Sequence, residues 1–212
     1  MSKGNIMRLF TRRFFANFKL IMNEFVDKPT SFLEIGVFQG YTAEWILQNI
    51  LKHPESRYIG IDPWERFKVF KKRFDTEEKW KLEMLDRIDN LRERFKDKAE
   101  FIKGFSQEIL YQDRIRKMKF DIIYVDGNHT AQAVMNDYVL SWPLLKIGGI
   151  MIFDDYLYRA NPYEMKNTID IILSSLDKKL DVTFKTRHYI RKNSKIELIW
   201  KNFSVAIRKL CE

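Results

Sequence analysis

Short, nearly continuous apolar runs recur along this chain, each separated from the next by a segment with helical periodicity. The clearest is Phe120–Val125 (FDIIYV); Ser31–Val37 (SFLEIGV), Arg57–Asp62 (RYIGID), Ala99–Gly104 (AEFIKG) and Ile150–Phe153 repeat the pattern. A strand that is apolar on both faces must be covered on both, so these runs predict a largely parallel sheet between two helical layers. Helices are expected over Thr42–Leu51, within Arg66–Asp97, and over Ser106–Lys117, about Ala131–Leu140 and Asn161–Leu176. In the long charged stretch Leu82, Leu85, Ile88, Leu91 and Phe95 fall at helical spacing. Asp181–Ile190 and Ile196–Arg208 read as two strands pairing antiparallel at one edge. The expected class is α/β: a doubly wound sheet, mostly parallel, with an antiparallel edge strand and helices on both faces. Ligands in such sheets lie beyond the carboxyl ends of the strands, so the residues just after each strand are the ones to inspect.

The chain has 212 residues, enough for one domain with a sizeable core. The sheet pattern occupies 31–212. Residues 1–30 begin with 22 residues that lack any acid, and Phe14, Phe18 and Ile21 fall on one helical face. This segment is expected to form a helical cap over the active site. The formal net charge of +9 favours an anionic partner or marks a lysine-rich solvated surface, and the spread of the basic residues decides nothing between them. The single cysteine, Cys211, allows neither an intramolecular disulfide nor a thiolate zinc cluster, which fits a reducing, cytoplasmic location. No apolar run approaches the length of a membrane span.

The first strand ends in Glu34-Ile-Gly36-Val-Phe38-Gln-Gly40. Glycines between strand and helix let backbone approach a ligand closely. A dinucleotide site would need G-x-G-x-x-G to hold a pyrophosphate, and Glu34 would repel one. A carboxylate there suits a cationic ligand. Asp62, ending the second strand before Pro63-Trp64, can accept from a ribose diol, or can be a plain turn aspartate. Together the two pieces describe an adenosine site without a pyrophosphate. After the fourth strand comes Asp126-Gly-Asn-His129, and after the fifth Asp154-Asp155-Tyr156. Carboxylates crowded at one rim repel each other unless a cation neutralises them, and oxygen ligands suit Mg²⁺, Mn²⁺ or Ca²⁺. The plainer alternative is that Asp154 and Asp155 cap the next helix.

From about Thr30 to Tyr156 the sequence resembles the class I S-adenosylmethionine-dependent methyltransferases, with E-I-G-V-F-Q-G and I-D-P-W at their first two motifs. The resemblance implies a Rossmann-like fold in which Gly36 and Gly40 line the methionine part of the cofactor, with Glu34, Phe38 and Asp126 as further cofactor-binding candidates. It places Asp62 on the ribose and Trp64, Phe105 and Ser106 near the adenine. Phe38 stands where the family's commonest pattern has a glycine. The D-G-x-H and D-D-Y pair is similar to the metal-dependent sugar O-methyltransferases, the group that includes macrocin O-methyltransferase. That similarity implies metal ligation by Asp126, Asp154 and Asp155, and His129 as general base with Asp126 beside it. Tyr156, Tyr158 and Arg159 are candidate acceptor contacts. The expected reaction is methyl transfer from S-adenosylmethionine to a hydroxyl of a small molecule or glycan, with divalent-metal assistance. The alternatives are RNA ribose 2′-O-methylation and a non-catalytic binding module on the same fold. The Asn/Asp-Pro-Pro-aromatic turn that goes with base-amine methylation is absent.

Overall fold

The computed structural model describes residues 15, 18–65, 77–156, 162–176, 191–192, 196–201 and 204–210. Eight strands form one sheet: β1 (Ser31–Ile35), β2 (Arg57–Asp62), β3 (Ala99–Lys103), β4 (Phe120–Val125), β5 (Leu145–Phe153), β6 (Arg191–Lys192), β7 (Ile196–Lys201) and β8 (Val205–Lys209). Their order is β3-β2-β1-β4-β5-β8-β7-β6. The first five pair in parallel, and β8, β7 and β6 each run antiparallel to the preceding neighbour in that order.

Side chains alternate across the pleat, so each strand feeds two separate cores. Leu33, Ile35, Ile61, Ile123, Val125 and Met151 face one layer. That layer is closed by α3 (Ser106–Ile109), α4 (Asp113–Arg116), α5 (Ala131–Ser141) and α6 (Pro162–Leu176), through residues such as Ile109, Ile115, Val134 and Ile169. Phe32, Tyr58, Ile122, Tyr124 and Ile152 face the other, under α1 (Tyr41–Asn49), α2 (Glu77–Arg94) and the helical residues 18–22. Burying one Leu or Ile side chain contributes roughly 1.5–3 kcal/mol, so two full layers hold the strand ends rigidly. From the N-terminal segment, Phe18 packs edge-on to Tyr124 at 5.1 Å and Phe15 stacks on Trp45 at 4.7 Å. Phe18 and Ile21 are buried as their spacing predicts, while Phe14 lies outside the described residues.

Several boundaries differ from those the sequence predicts. The helix expected over 106–117 is two short ones, α3 and α4. Ile109, Leu110 and Ile115 are all buried, and their spacing of one and six residues cannot face one way on a single helix. The strand expected over 196–208 is a pair, β7 and β8, joined antiparallel with Lys201 opposite Val205. β5 begins five residues earlier than its apolar run suggests. Gly149 makes this possible, because a Cβ there would lie 2.8 Å from the Asp121 backbone oxygen of β4. The strand expected over 181–190 and the helical stretch 66–76 lie outside the described residues. Among the described residues no helix is long and apolar enough to cross a membrane.

Candidate active site

The strands that meet at the centre of the sheet carry a buried polar layer on the face under α1 and α2. Glu34 of β1 is 1% exposed, and Tyr58 of β2 donates its hydroxyl to Glu34 Oε2 at 2.5 Å. Glu34 Oε1 is buried with no hydrogen-bond partner. Burial pushes the Glu34 carboxyl well above its ordinary range; the Tyr58 bond opposes this, and Asp126 and Asp62 add to it. Gly60 sits opposite Glu34 in the strand register, where a Cβ would come within 2.7 Å of the Tyr58 hydroxyl oxygen. A glycine at that point is what lets the phenol reach back to the carboxylate. Tyr58→Phe leaves Glu34 with neither oxygen paired and should cost about 1–3 kcal/mol. A thermal melt reads this as a fall of roughly 2–4 °C per kcal/mol for a chain of this size.

The turn from β1 into α1 is built around two left-handed glycines, Gly36 at φ 93° and Gly40 at φ 73°. Gly36 donates its N–H to Ile61 O at 2.9 Å, and Asp126 donates its N–H to Ile35 O at 2.8 Å. The Gly36 backbone thus lies flat against the loop after β4: a Cβ would stand 2.1 Å from the Asp126 carbonyl oxygen. Phe38 also has a positive φ, 51°, a conformation costing roughly 1–2 kcal/mol for a residue with a side chain. Asp62 stabilises it, because the Phe38 N–H donates to Asp62 Oδ2 at 2.8 Å while the Trp64 N–H donates to Oδ1 at 2.7 Å. Trp64 Nε1–H closes the clasp on Phe38 O at 2.9 Å. Trp64 is only 1% exposed, so its indole underlies the turn rather than lining an open face. Burial raises the Asp62 carboxyl, against the three backbone donors that favour its charged form. Arg87 of α2 fastens the same turn from outside, donating to Gln39 O at 2.9 Å and pairing with Glu44 of α1.

Beyond β3, Phe105 and Ser106 open α3, both half-buried. Ser106 Oγ–H donates to Asp137 Oδ1 at 2.5 Å. Asp137, on α5, is 2% exposed, and burial lifts its carboxyl to about 6 against that hydrogen bond.

At the ends of β4 and β5, Asp126, His129 and Asp155 bring one ligand atom each within 4.8 Å of one another. His129 Nε2 lies 2.9 Å from Asp155 Oδ2 and 3.9 Å from Asp126 Oδ1. Asp126 and then Asp155 hold the imidazolium, raising His129 to about 10. Burial, with Asp154 and Asp155 nearby, raises Asp126 to about 7 against the pull of His129. Asp154 stands behind this group, 8% exposed, with Oδ2 at 2.5 Å from the Tyr124 hydroxyl and Oδ1 accepting from Ser204 at 2.7 Å. The Tyr124 hydroxyl is also 3.1 Å from Asp126 Oδ2, so one phenol bridges the carboxylates of two loops. Tyr156 is buried and donates to Asp170 of α6 at 2.9 Å, away from the cluster. Tyr158 and Arg159 lie outside the described residues.

Residues 33–156, more than half of the chain, match the family model described as Methyltransferase domain. The chain belongs to that family. Its sheet is that of a class I S-adenosylmethionine-dependent methyltransferase. The methyltransferase is 28% identical over 169 residues to the uncharacterized protein R132 of Acanthamoeba polyphaga mimivirus, covering 74% of this chain and 67% of that protein. Its fold is similar to that of MycE methyltransferase from the mycinamycin biosynthetic pathway, solved with Mg and S-adenosylhomocysteine. The TM-score is 0.57 at 16% identity, covering 92% of this chain and 49% of MycE, so the chain spans about half of that relative's length. The O-methyltransferase TomG from Streptomyces achromogenes, solved with S-adenosylmethionine, gives 0.54 at 17% identity over 85% of this chain and 73% of TomG.

The candidate site draws in residues that the sequence did not single out: Tyr58, Arg87, Tyr124, Asp137 and Ser204. Asp137 alone had a visible signal, since Val134, Asp137 and Ser141 share the buried stripe of α5 and a carboxylate there is out of place.

Proposed function

We propose that this methyltransferase transfers the methyl group of S-adenosylmethionine to a hydroxyl, with a sugar or glycan as acceptor and a divalent cation at the β4–β5 rim. One residue carries the reading. The backbone of Asp126 abuts the Gly36 turn, and its side chain belongs to the carboxylate–imidazole group, so cofactor loop and acidic cluster share a wall.

The residues fit the cofactor. Gly36 lets the turn after β1 close against the Asp126 backbone as no residue with a side chain could, and the unpaired Oε1 of buried Glu34 suits a ligand bearing positive charge. Asp62 keeps lone pairs free for a ribose diol while its two oxygens fix the turn. The base would then lie at Phe105 and Ser106, because Asp62 pairs in register with Lys103 and Gly104 donates to Asp62 O at 3.1 Å.

The residues also fit a hard cation. Asp126 and Asp155 offer carboxylate oxygens at the rim, with Asp154 behind them. A divalent cation held by these carboxylates would neutralise their charge and acidify an acceptor hydroxyl. His129 in its neutral form would take the hydroxyl proton at Nε2. The acceptor oxygen then attacks the methyl carbon as the sulfonium C–S bond breaks, giving the methyl ether and S-adenosylhomocysteine. The resemblance of D-G-x-H and D-D-Y to the metal-dependent sugar O-methyltransferases favours a glycosylated acceptor, and MycE, of similar fold, has been solved with Mg, S-adenosylhomocysteine and mycinamycin VI.

Labelled methyl transfer to a panel of glycosides and nucleotide sugars, run beside structured RNA and with or without chelator, tests the proposal. Chelator-sensitive labelling of a saccharide supports it. Labelling of RNA alone would replace it with ribose methylation.

A further inference from the structure

We propose that Asp137 fixes the polarity of the Ser106 hydroxyl and thereby makes the methyltransferase selective for the amine of its cofactor's adenine. The proposal rests on the reading above, in which the base lies at Phe105 and Ser106. A serine hydroxyl has one proton to donate and two lone pairs to accept with. Here the proton is committed inward, to Asp137 Oδ1 at 2.5 Å. Asp137 is 2% exposed, and an ionised carboxylate can only accept, so the direction of this bond is fixed. Asp137 is itself well held: the Ser141 hydroxyl donates to its backbone oxygen at 2.5 Å, and a Cβ on Gly127 would lie 3.4 Å from its Oδ2.

The Ser106 hydroxyl therefore presents an acceptor and no donor on its half-buried side. The base of an adenosine carries a single donor group, the 6-amine, and every other edge atom is an acceptor or a carbon. A locked acceptor can pair only with that amine. Deamination turns the amine into a carbonyl oxygen and moves the donor to N1, so at the 6-position the Ser106 lone pairs would face lone pairs. The mechanism needs no help from Asp137 in moving the methyl group or the proton, yet the fold buries a carboxylate there at a real desolvation cost.

Calorimetric titration of S-adenosylhomocysteine and S-inosylhomocysteine into the full chain tests this, with thermal melts confirming that each variant folds. The wild type should favour the adenosyl compound by roughly tenfold or more, the loss expected for an unpaired polar contact. Asp137→Asn can turn its amide donor towards Ser106 and release the hydroxyl proton, so the ratio should fall to about threefold or less. Ser106→Ala, which removes the acceptor and also leaves Asp137 Oδ1 without its donor, should collapse the ratio, and Ser106→Thr, which keeps both, should retain it. Equal affinity of the wild type for both compounds, or an unchanged ratio in Asp137→Asn and Ser106→Ala, would overturn the proposal and leave the cofactor site standing. Binding of neither compound would overturn the cofactor placement and this proposal with it.

Discussion

Gly36→Ala should abolish S-adenosylhomocysteine binding and lower the melting temperature by roughly 5–15 °C. The added Cβ would stand 2.1 Å from the Asp126 carbonyl oxygen and 2.7 Å from Gly127 Cα, all of it backbone that cannot swing aside. Overpacking of this kind costs about 1–3 kcal/mol, and left-handed backbone adds about 1–2 for a residue with a side chain. At about 2–4 °C per kcal/mol the sum gives the predicted shift. The binding loss follows from the same geometry, because relief requires the β1 and β4 loops to part, and these two loops are the proposed cofactor site. A Gly36→Ala protein with wild-type affinity would show that the turn does not approach the ligand.

His129→Ala should reduce kcat by roughly 10²- to 10⁴-fold, the usual contribution of a positioned general base, with little change in the KM for S-adenosylmethionine. The pH profile separates a base from a packing residue. A base must be deprotonated, so wild-type kcat should rise with pH along a limb that the variant lacks. Without added metal the same residue leaves a stability signature. His129 is held near 10 in the folded chain against 6.5 for the free side chain, so its stabilisation is complete below about 6.5 and is lost as pH rises through 10. Asp126, raised to about 7, acts in the same direction: the folded chain keeps a proton that the unfolded chain has released. The metal-free protein should therefore melt at progressively lower temperature between about pH 4 and pH 10, and His129→Ala should flatten the upper part of that curve.

The parts of this molecule legible in its sequence are those governed by short-range pattern. FDIIYV and RYIGID are strands because their apolar character runs through both faces, and Gly36 and Gly40 mark a turn because only glycine takes left-handed backbone cheaply. Asp126, His129 and Asp155 are within reach of one another because they follow neighbouring parallel strands. Contacts set by strand register across the sheet were not legible. Tyr58 meets Glu34 through a gap that Gly60 leaves on a third position, and Tyr124 meets Asp154 from the adjacent strand. In sequence both tyrosines read as ordinary apolar strand residues. The same applies to Trp64, whose backbone and indole bonds bury it beneath the Phe38 turn. The chain beyond β5 carries weaker alternation, so one predicted strand there is two.

The most direct test of the account is calorimetric titration of Mg²⁺ or Mn²⁺ into the protein saturated with S-adenosylhomocysteine, repeated in buffers of different ionisation enthalpy and with Asp155→Asn. One cation should bind per chain, release protons from the Asp126–His129 pair as it does so, and fail to bind the variant. Absence of any cation binding by the wild-type complex, with S-adenosylhomocysteine bound, would contradict the account and leave a methyltransferase whose rim carboxylates serve only to hold its loops.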